Sequence, residues 1–278
     1  MDELRDDRPA GTPWVIDDIP FKDLDRDQIH DDRQLFLGLA AASFIEITAD
    51  LYTANLIEFY RGDDEVTDWL SQRWEPEELR HGAALKRYVR TAWPEFDWNT
   101  AYRGFYEEYS RTCGIQGFAG TRALELAARC VVETGTATFY RALSELTGEP
   151  VLKRLAGLIA ADEVRHYKYF YRFFRRYHDR EGIGRFAVAR TLWRRMTEVD
   201  AEDGPIAFKH VLLNASPGGE FQPADYDAFR ARARVLARRH YPFGMAVRMM
   251  LKPLELSPTV VRVIVPPIVS GAQLLFLL

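Results

Sequence analysis

Apolar residues fill the stretch 35–60, LFLGLAAASFIEITADLYTANLIEFY, with no helix breaker between Gly38 and the polar turn RGDD, which predicts one long buried helix. Helical periodicity returns over 67–92, where Pro76 fits best near a helix start or at a kink. A third long helix is predicted over 118–147, stopped by TGEP, and a fourth opens on Pro150 and runs to about 178. No run of alternating β-branched residues reads as a strand, so 35–178 forms two helical hairpins, the makings of an all-α four-helix bundle. Shorter helices near 183–199, 203–213 and 224–252 are expected to wrap one side. The chain thus divides into an acidic segment 1–34, the bundle, and helices with an apolar tail over 179–278, all in one domain.

The ending TVVRVIVPPIVSGAQLLFLL is almost wholly apolar, but Arg262 and the Pro266–Pro267 pair are expected to break it into pieces too short to span a bilayer as one helix. Packing on the core, sealing a homodimer and peripheral membrane contact are the three expectations for it. The acidic start MDELRDDRPAGTPW lacks the apolar core of a secretory signal, which points to the cytoplasm, with membrane association through the tail as the variant. Cys113 and Cys130 are the only cysteines, so neither a disulfide framework nor a protein-held iron–sulfur cluster is indicated. Electrons for any redox chemistry must then come from elsewhere. The net charge of −4 hides eight arginines between 172 and 195 and a second basic run over 229–241. These alternate with core-type residues at helical spacing and match no nucleic-acid module, so a nucleic-acid partner is not expected.

Two polar words interrupt the apolar pattern. WEPEELRHGAALKRY carries Glu77, Glu78, Arg80 and His81, and IAADEVRHYKYF carries Asp162, Glu163, Arg165 and His166. With twenty glutamates and six histidines in the chain, a bare Glu-x-x-His arises by chance about 0.4 times, but the full acid-Glu-x-Arg-His word only about 0.007 times. Two occurrences therefore mark an internal repeat or a shared chemical demand. Positions three apart share a helix face, so Glu78 with His81, and Glu163 with His166, can each offer an oxygen and a nitrogen to one ion. Either pair alone reads more readily as an exposed polar pair, and it is the two together, with glutamates at matching heights on the intervening helices, that point to a metal.

In a bundle the other two helices each add a glutamate to make a dinuclear carboxylate site. Their height follows from a rise of about 1.5 Å per residue. Glu163 follows Pro150 by thirteen residues and Glu133 precedes Gly148 by fifteen, whereas Glu145 is too near the turn and Glu125 too far from it. Glu46 lies sixteen residues before Gly62 and fits Glu78; Asp50 fits the height slightly better on a shorter arm, and Glu58 is too near the turn. Glu46 sits in the otherwise apolar AAASFIEITADLY, where a metal or an arginine must offset the several kcal/mol cost of a buried carboxylate. Carboxylates and imidazoles in this ratio suit iron or manganese without excluding zinc.

EELRHG and IAADEVRH resemble the two motifs of the soluble acyl-carrier-protein desaturases, within the ferritin-like di-iron carboxylate superfamily, and the likeness covers about 35–178. The resemblance implies that Glu46, Glu78, His81, Glu133, Glu163 and His166 are the ligands of two iron ions. It also implies that Asp162 orients His81, that Glu77 serves His166 likewise, and that Thr136 lies beside the oxygen-binding side. An ungapped match on the second motif would put Cys130 at the glutamate position, but a thiol cannot supply a bridging carboxylate, so Glu133 is preferred. The stretch from Glu133 to Glu163 is about one helical turn shorter than in plant desaturases.

The activity so implied is an O2-dependent di-iron oxidation of a fatty acyl chain, most simply its desaturation, with iron preferred, manganese as the alternative, and an external electron donor such as ferredoxin. An acyl carrier protein or another acyl carrier is the expected substrate partner, with the arginines of 172–195 as its docking surface. A homodimer is the base-rate expectation. The rivals are a hydroxylase or N-oxygenase of a small metabolite, a non-enzymatic iron-binding or storage protein, and a helical scaffold whose twin words are decoration.

Overall fold

The computed structural model describes residues 13–198, 203–215 and 220–275. Among the described residues there are thirteen α-helices and no strand, so the protein is all-α. The helices are α1 (Arg26–Ile29), α2 (Arg33–Ile47), α3 (Ala49–Phe59), α4 (Asp64–Trp69), α5 (Glu75–Ala92), α6 (Trp98–Tyr109), α7 (Arg122–Leu146), α8 (Pro150–Glu181), α9 (Arg185–Glu198), α10 (Gly204–Ala215), α11 (Pro223–Ala237), α12 (Phe243–Leu251) and α13 (Pro258–Leu275). Four rods make the bundle: α2 with α3, α4 with α5, α7, and α8. The first packs on the second, α7 packs on α8, and α5 meets α8, an arrangement that fits a ferritin-like bundle. The acidic segment is built into this body where it is described. Trp14, Ile19, Phe21 and Ile29 are buried, and Asp25 and Asp32 cap α1 and α2 by accepting the backbone N–H of Gln28 and Leu35.

Residues 35–60 are not the single straight helix that their pattern predicts. α2 and α3 meet at a 41° bend, with Thr48 as the joint. Its backbone leaves the helical region at φ −101°, ψ 13°, and its hydroxyl donates to Phe44 O at 2.7 Å, a back-bond that bends helices. Gly82 of α5 presses into the bend, where a Cβ would stand 2.3 Å from Ile47 N. The second rod runs from Asp64 to Ala92 through a π turn over Leu70–Trp74, closed by Glu75 N–H on Leu70 O. Pro76 follows directly, and the wider turn accommodates a residue that has no N–H to give.

Two further expectations change. α6 has no counterpart in the sequence reading, and 224–252 is two helices that part at Pro242. The apolar tail is not broken by its prolines: α13 runs through Pro266 and Pro267. Both lie on an exposed stretch, so water can satisfy the carbonyls that the missing N–H groups leave free. Among the described residues no single helix is long and apolar enough to cross a membrane; the bent α2–α3 pair passes by length and composition only, and Leu37, Leu39, Phe44 and Leu56 on it are buried in the bundle.

The core is split in two. One apolar cluster gathers Leu39, Phe44, Leu85, Tyr88, Leu152 and Ile159, and the other gathers Leu56, Trp74, Leu126, Val131, Phe170 and Phe174. On every rod the changeover from one cluster to the other falls at the polar residues singled out above: Glu46, Glu78 with His81, Glu133, and Glu163 with His166. A layer of buried charge therefore lies between two apolar bodies.

Candidate metal centre

The structure brings all six candidate ligands together in that layer. They form two overlapping groups, Glu46, Glu78, His81, Glu163 and Glu78, Glu133, Glu163, His166; within each, one ligand atom per residue lies within 4.8 Å of the others. All are buried, with Glu163 at 1% exposure and His81 at 0%. Glu163 turns Oε1 to His81 Nδ1 at 3.2 Å and Oε2 toward His166 Nδ1 at 3.9 Å. Glu78 does the converse, with Oε1 2.9 Å from His166 Nδ1 and Oε2 3.9 Å from His81 Nδ1. Glu46 stands only on the His81 side, at 3.7 Å, and Glu133 only on the His166 side, at 3.6 Å. Glu78 and Glu163 are thus common to both groups, whereas Glu46 and Glu133 each belong to one.

The full five-residue word finds its reason here. Asp162 Oδ2 is 3.1 Å from His81 Nε2 and accepts from Arg80 at 2.8 Å, while Glu77 Oε2 is 2.9 Å from His166 Nε2 and accepts from Arg165 at 2.9 Å. The acid of each word therefore serves the histidine and arginine of the other. An ionised carboxylate only accepts, so each Nε2 carries a proton, and in the neutral imidazole each Nδ1 turns a lone pair to the cluster. Burial opposes ionisation of both acids, but the facing histidines and arginines outweigh it and hold Asp162 and Glu77 below the usual carboxylate range.

Residues beyond the predicted set complete the shell. Trp14 donates its indole N–H to Asp162 at 2.9 Å and lies parallel to the His81 ring, with the Arg80 guanidinium over its own face. Tyr140 donates its buried hydroxyl to Glu46 Oε1 at 2.5 Å. Thr136, which does belong to the predicted set, donates to Glu163 Oε2 at 2.6 Å. The arginine fixed in both words signalled a shared partner, but nothing in the sequence around Trp14 or Tyr140 ties the first to Asp162, 148 residues away, or the second to Glu46, 94 residues away. The weighed alternatives lie elsewhere. Asp50 is exposed; Glu58, Glu145 and Glu125 pair with Arg61, Arg141 and Arg129. Cys130 is buried in the second apolar cluster, where burial pushes its thiol up.

The fit to a pair of cations rests on orphaned atoms and on charge. His81 Nδ1, His166 Nδ1, Glu133 Oε2 and Glu163 Oε1 are buried without a hydrogen-bond partner, which costs about 1–3 kcal/mol each unless something else binds them. In the metal-free protein protons fill the role. Burial pushes Glu133 up to about 8, and burial with the Glu163 charge pushes Glu78 well up. Burial opposes charge on the histidines, but the facing carboxylates of Asp162, Glu163 and Glu46 raise His81 well above the imidazole range, and those of Glu133, Glu77 and Glu78 do the same for His166. Four carboxylates with two neutral imidazoles balance two divalent cations without those protons.

The sequence model of the family described as fatty acid desaturase matches residues 60–229. The matched stretch holds Glu78, His81, Glu133, Glu163 and His166, and Glu46 precedes it. No curated protein matches the chain.

Proposed function

We propose, because this chain belongs to the fatty acid desaturase family, that its cluster holds two iron ions and serves desaturation of a carrier-bound fatty acyl chain. Fatty acyl desaturation makes the chain an oxidoreductase. The reaction takes two hydrogens from the acyl chain and, with O2, two electrons and two protons, leaves an alkene and two waters. A bound iron pair would supply oxygen activation, which amino-acid side chains lack. The observation that carries the reading is the pair of four-ligand groups sharing Glu78 and Glu163, with unpartnered nitrogens and oxygens facing inward.

The chain's own residues have separable tasks in this reading. Glu77 and Asp162 fix the two imidazoles with Nδ1 inward. Thr136 holds the Glu163 oxygen that faces His166. The apolar clusters on either side keep bulk water from the charged layer. Electrons come from a separate donor protein. The acidic carrier docks on the outer face of α8 through Arg180, since Arg172 is engaged by Glu65, Arg175 by Glu255 and Arg176 by Glu65 and Asp63. The carrier and the donor are inferred from charge and chemistry.

Anaerobic loading with ferrous iron tests the site. The native chain should take up two irons, Glu163→Ala should lose both because Glu163 is shared, and Glu133→Ala should lose only the one beside His166. Equal losses in the two variants would refute the shared-ligand arrangement. Product analysis then separates desaturation, a mass change of about −2, from hydroxylation at about +16, through the different fates of the activated oxygen.

A further inference from the structure

The C-terminal helices carry an apolar surface that the enzyme chemistry leaves unused. On α13, Val260, Val263, Pro267 and Leu274 recur at helical spacing on the outward side, with Val263 66% and Leu274 62% exposed. The opposite side, at Val265, is buried where α13 rests on α12. α9 has a similar face: Phe186 is 84% exposed, Trp193 66% and Met196 43%. Spacings of seven and three put these side chains along one line of the helix. The two faces are joined, because the turn Lys252–Leu254 that leads into α13 packs against α9, and Arg185 at the start of α9 donates to Glu255 O at 3.0 Å.

We propose that this surface docks the protein on an anionic lipid bilayer, with α9 and α13 lying in the plane of the headgroups. The charge distribution selects that occupant. Residues 182–198 and 243–275 carry seven basic side chains against two acidic ones, and one of those acids, Glu255, already accepts the Tyr171 hydroxyl. Arg190, Arg194 and Arg262 are exposed among the apolar residues, the pattern of an interfacial helix whose arginines reach headgroups while aromatic and aliphatic groups enter the acyl boundary. A second copy of the chain would bring the same positive charge against itself across a two-fold axis. Tryptophan suits the headgroup level because its ring is apolar and its N–H is not. The surface is also tied to the proposed site, since the Tyr167 hydroxyl, one residue from His166, donates to Met249 O of α12 at 2.7 Å.

Co-sedimentation of the full chain with vesicles tests the surface without any metal, so its outcome is independent of the proposed chemistry. The native protein should sediment with phosphatidylcholine vesicles enriched in phosphatidylglycerol, bind pure phosphatidylcholine far less, and be released by salt. Arg190→Gln with Arg194→Gln should lower the partition coefficient roughly 25-fold. Phe186→Ser with Trp193→Ser should lower it about tenfold or more, and both variants should melt at the native temperature because these side chains are exposed. Absence of native binding to either vesicle, or binding that neither variant weakens, would overturn the proposal. So would a dimer that Phe186→Ser with Trp193→Ser dissociates while the native chain ignores lipid, since the face would then belong to a second copy.

Discussion

Replacing one glycine by alanine should have opposite effects at two places in the bundle. At Gly82 the added Cβ would lie 2.3 Å from Ile47 N, 2.5 Å from its Cα and 2.6 Å from its Cβ, whereas ordinary contact begins at 3.4 Å. The obstacle is backbone, so the α2–α5 spacing must open by about 1 Å, an overpacking that costs roughly 3 kcal/mol. Alanine recovers about 1 kcal/mol of helix propensity, which leaves a net loss of about 2 kcal/mol. At Gly135, exposed in mid-α7, no atom lies within 4 Å of the added Cβ, so only the gain of about 1 kcal/mol remains. For a chain of this length 1 kcal/mol moves the melting temperature by about 2 °C. Calorimetry of the metal-free proteins should therefore show Gly82→Ala about 4 °C below native and Gly135→Ala about 2 °C above. Ile47 adjoins Glu46, and a shift of about 1 Å far exceeds the tolerance of roughly 0.2 Å in a metal–ligand distance, so Gly82→Ala should also weaken the cation site beside His81. A Gly82→Ala protein that melts at or above the native temperature would refute the close-approach argument.

The metal-free protein should lose stability as pH rises from about 5 to 8. Glu133, raised to about 8, with Glu78, His81 and His166, also raised, keeps protons in the native state that the unfolded chain releases in that window. Metal binding expels the same protons, so metal affinity should rise with pH across the window; a chelator-treated protein more stable at pH 7.5 than at pH 5.5 would contradict the assignment. Tyr140→Phe removes the donor from Glu46 Oε1 and leaves a buried oxygen unpaired, at a cost of about 1–3 kcal/mol. In a metal titration it should weaken the Glu46–His81 site and spare the Glu133–His166 site. Equal weakening of both would show that Tyr140 acts on the fold rather than on Glu46.

The bundle and its charged layer were legible because both rest on short-range rules. Glu78 with His81 and Glu163 with His166 are set by helix geometry, and Glu46 and Glu133 by height along a hairpin, so six distant residues converge from local arithmetic. Departures came where tertiary contact overrides local pattern. The Thr48 bend depends on Gly82 of another helix, and the π turn before Pro76 trades one registration for another inside a rod whose periodicity still reads as helix. α13 keeps its prolines because it is solvated, which hydropathy alone hides. The eight arginines of 172–195 read as one docking surface, yet Arg172 and Arg176 are drawn to Glu65 and Asp63 from another rod and Arg195 is buried. Trp14 and Tyr140 were invisible, since a lone aromatic carries no sign of the carboxylate it will meet.

Because Glu77 serves His166 and Asp162 serves His81, each half of the chain holds what the other half's histidine requires. A hairpin carrying one such word would be incomplete alone and would become whole on meeting its twin, each copy lending its acid to the opposite imidazole. The present polypeptide behaves as that twofold pair written end to end, with α6 and the loop after it as the splice. Severed within residues 110–121, between the first word and the second, the two fragments would each keep a hairpin, and reunion rather than either piece would restore the charged layer.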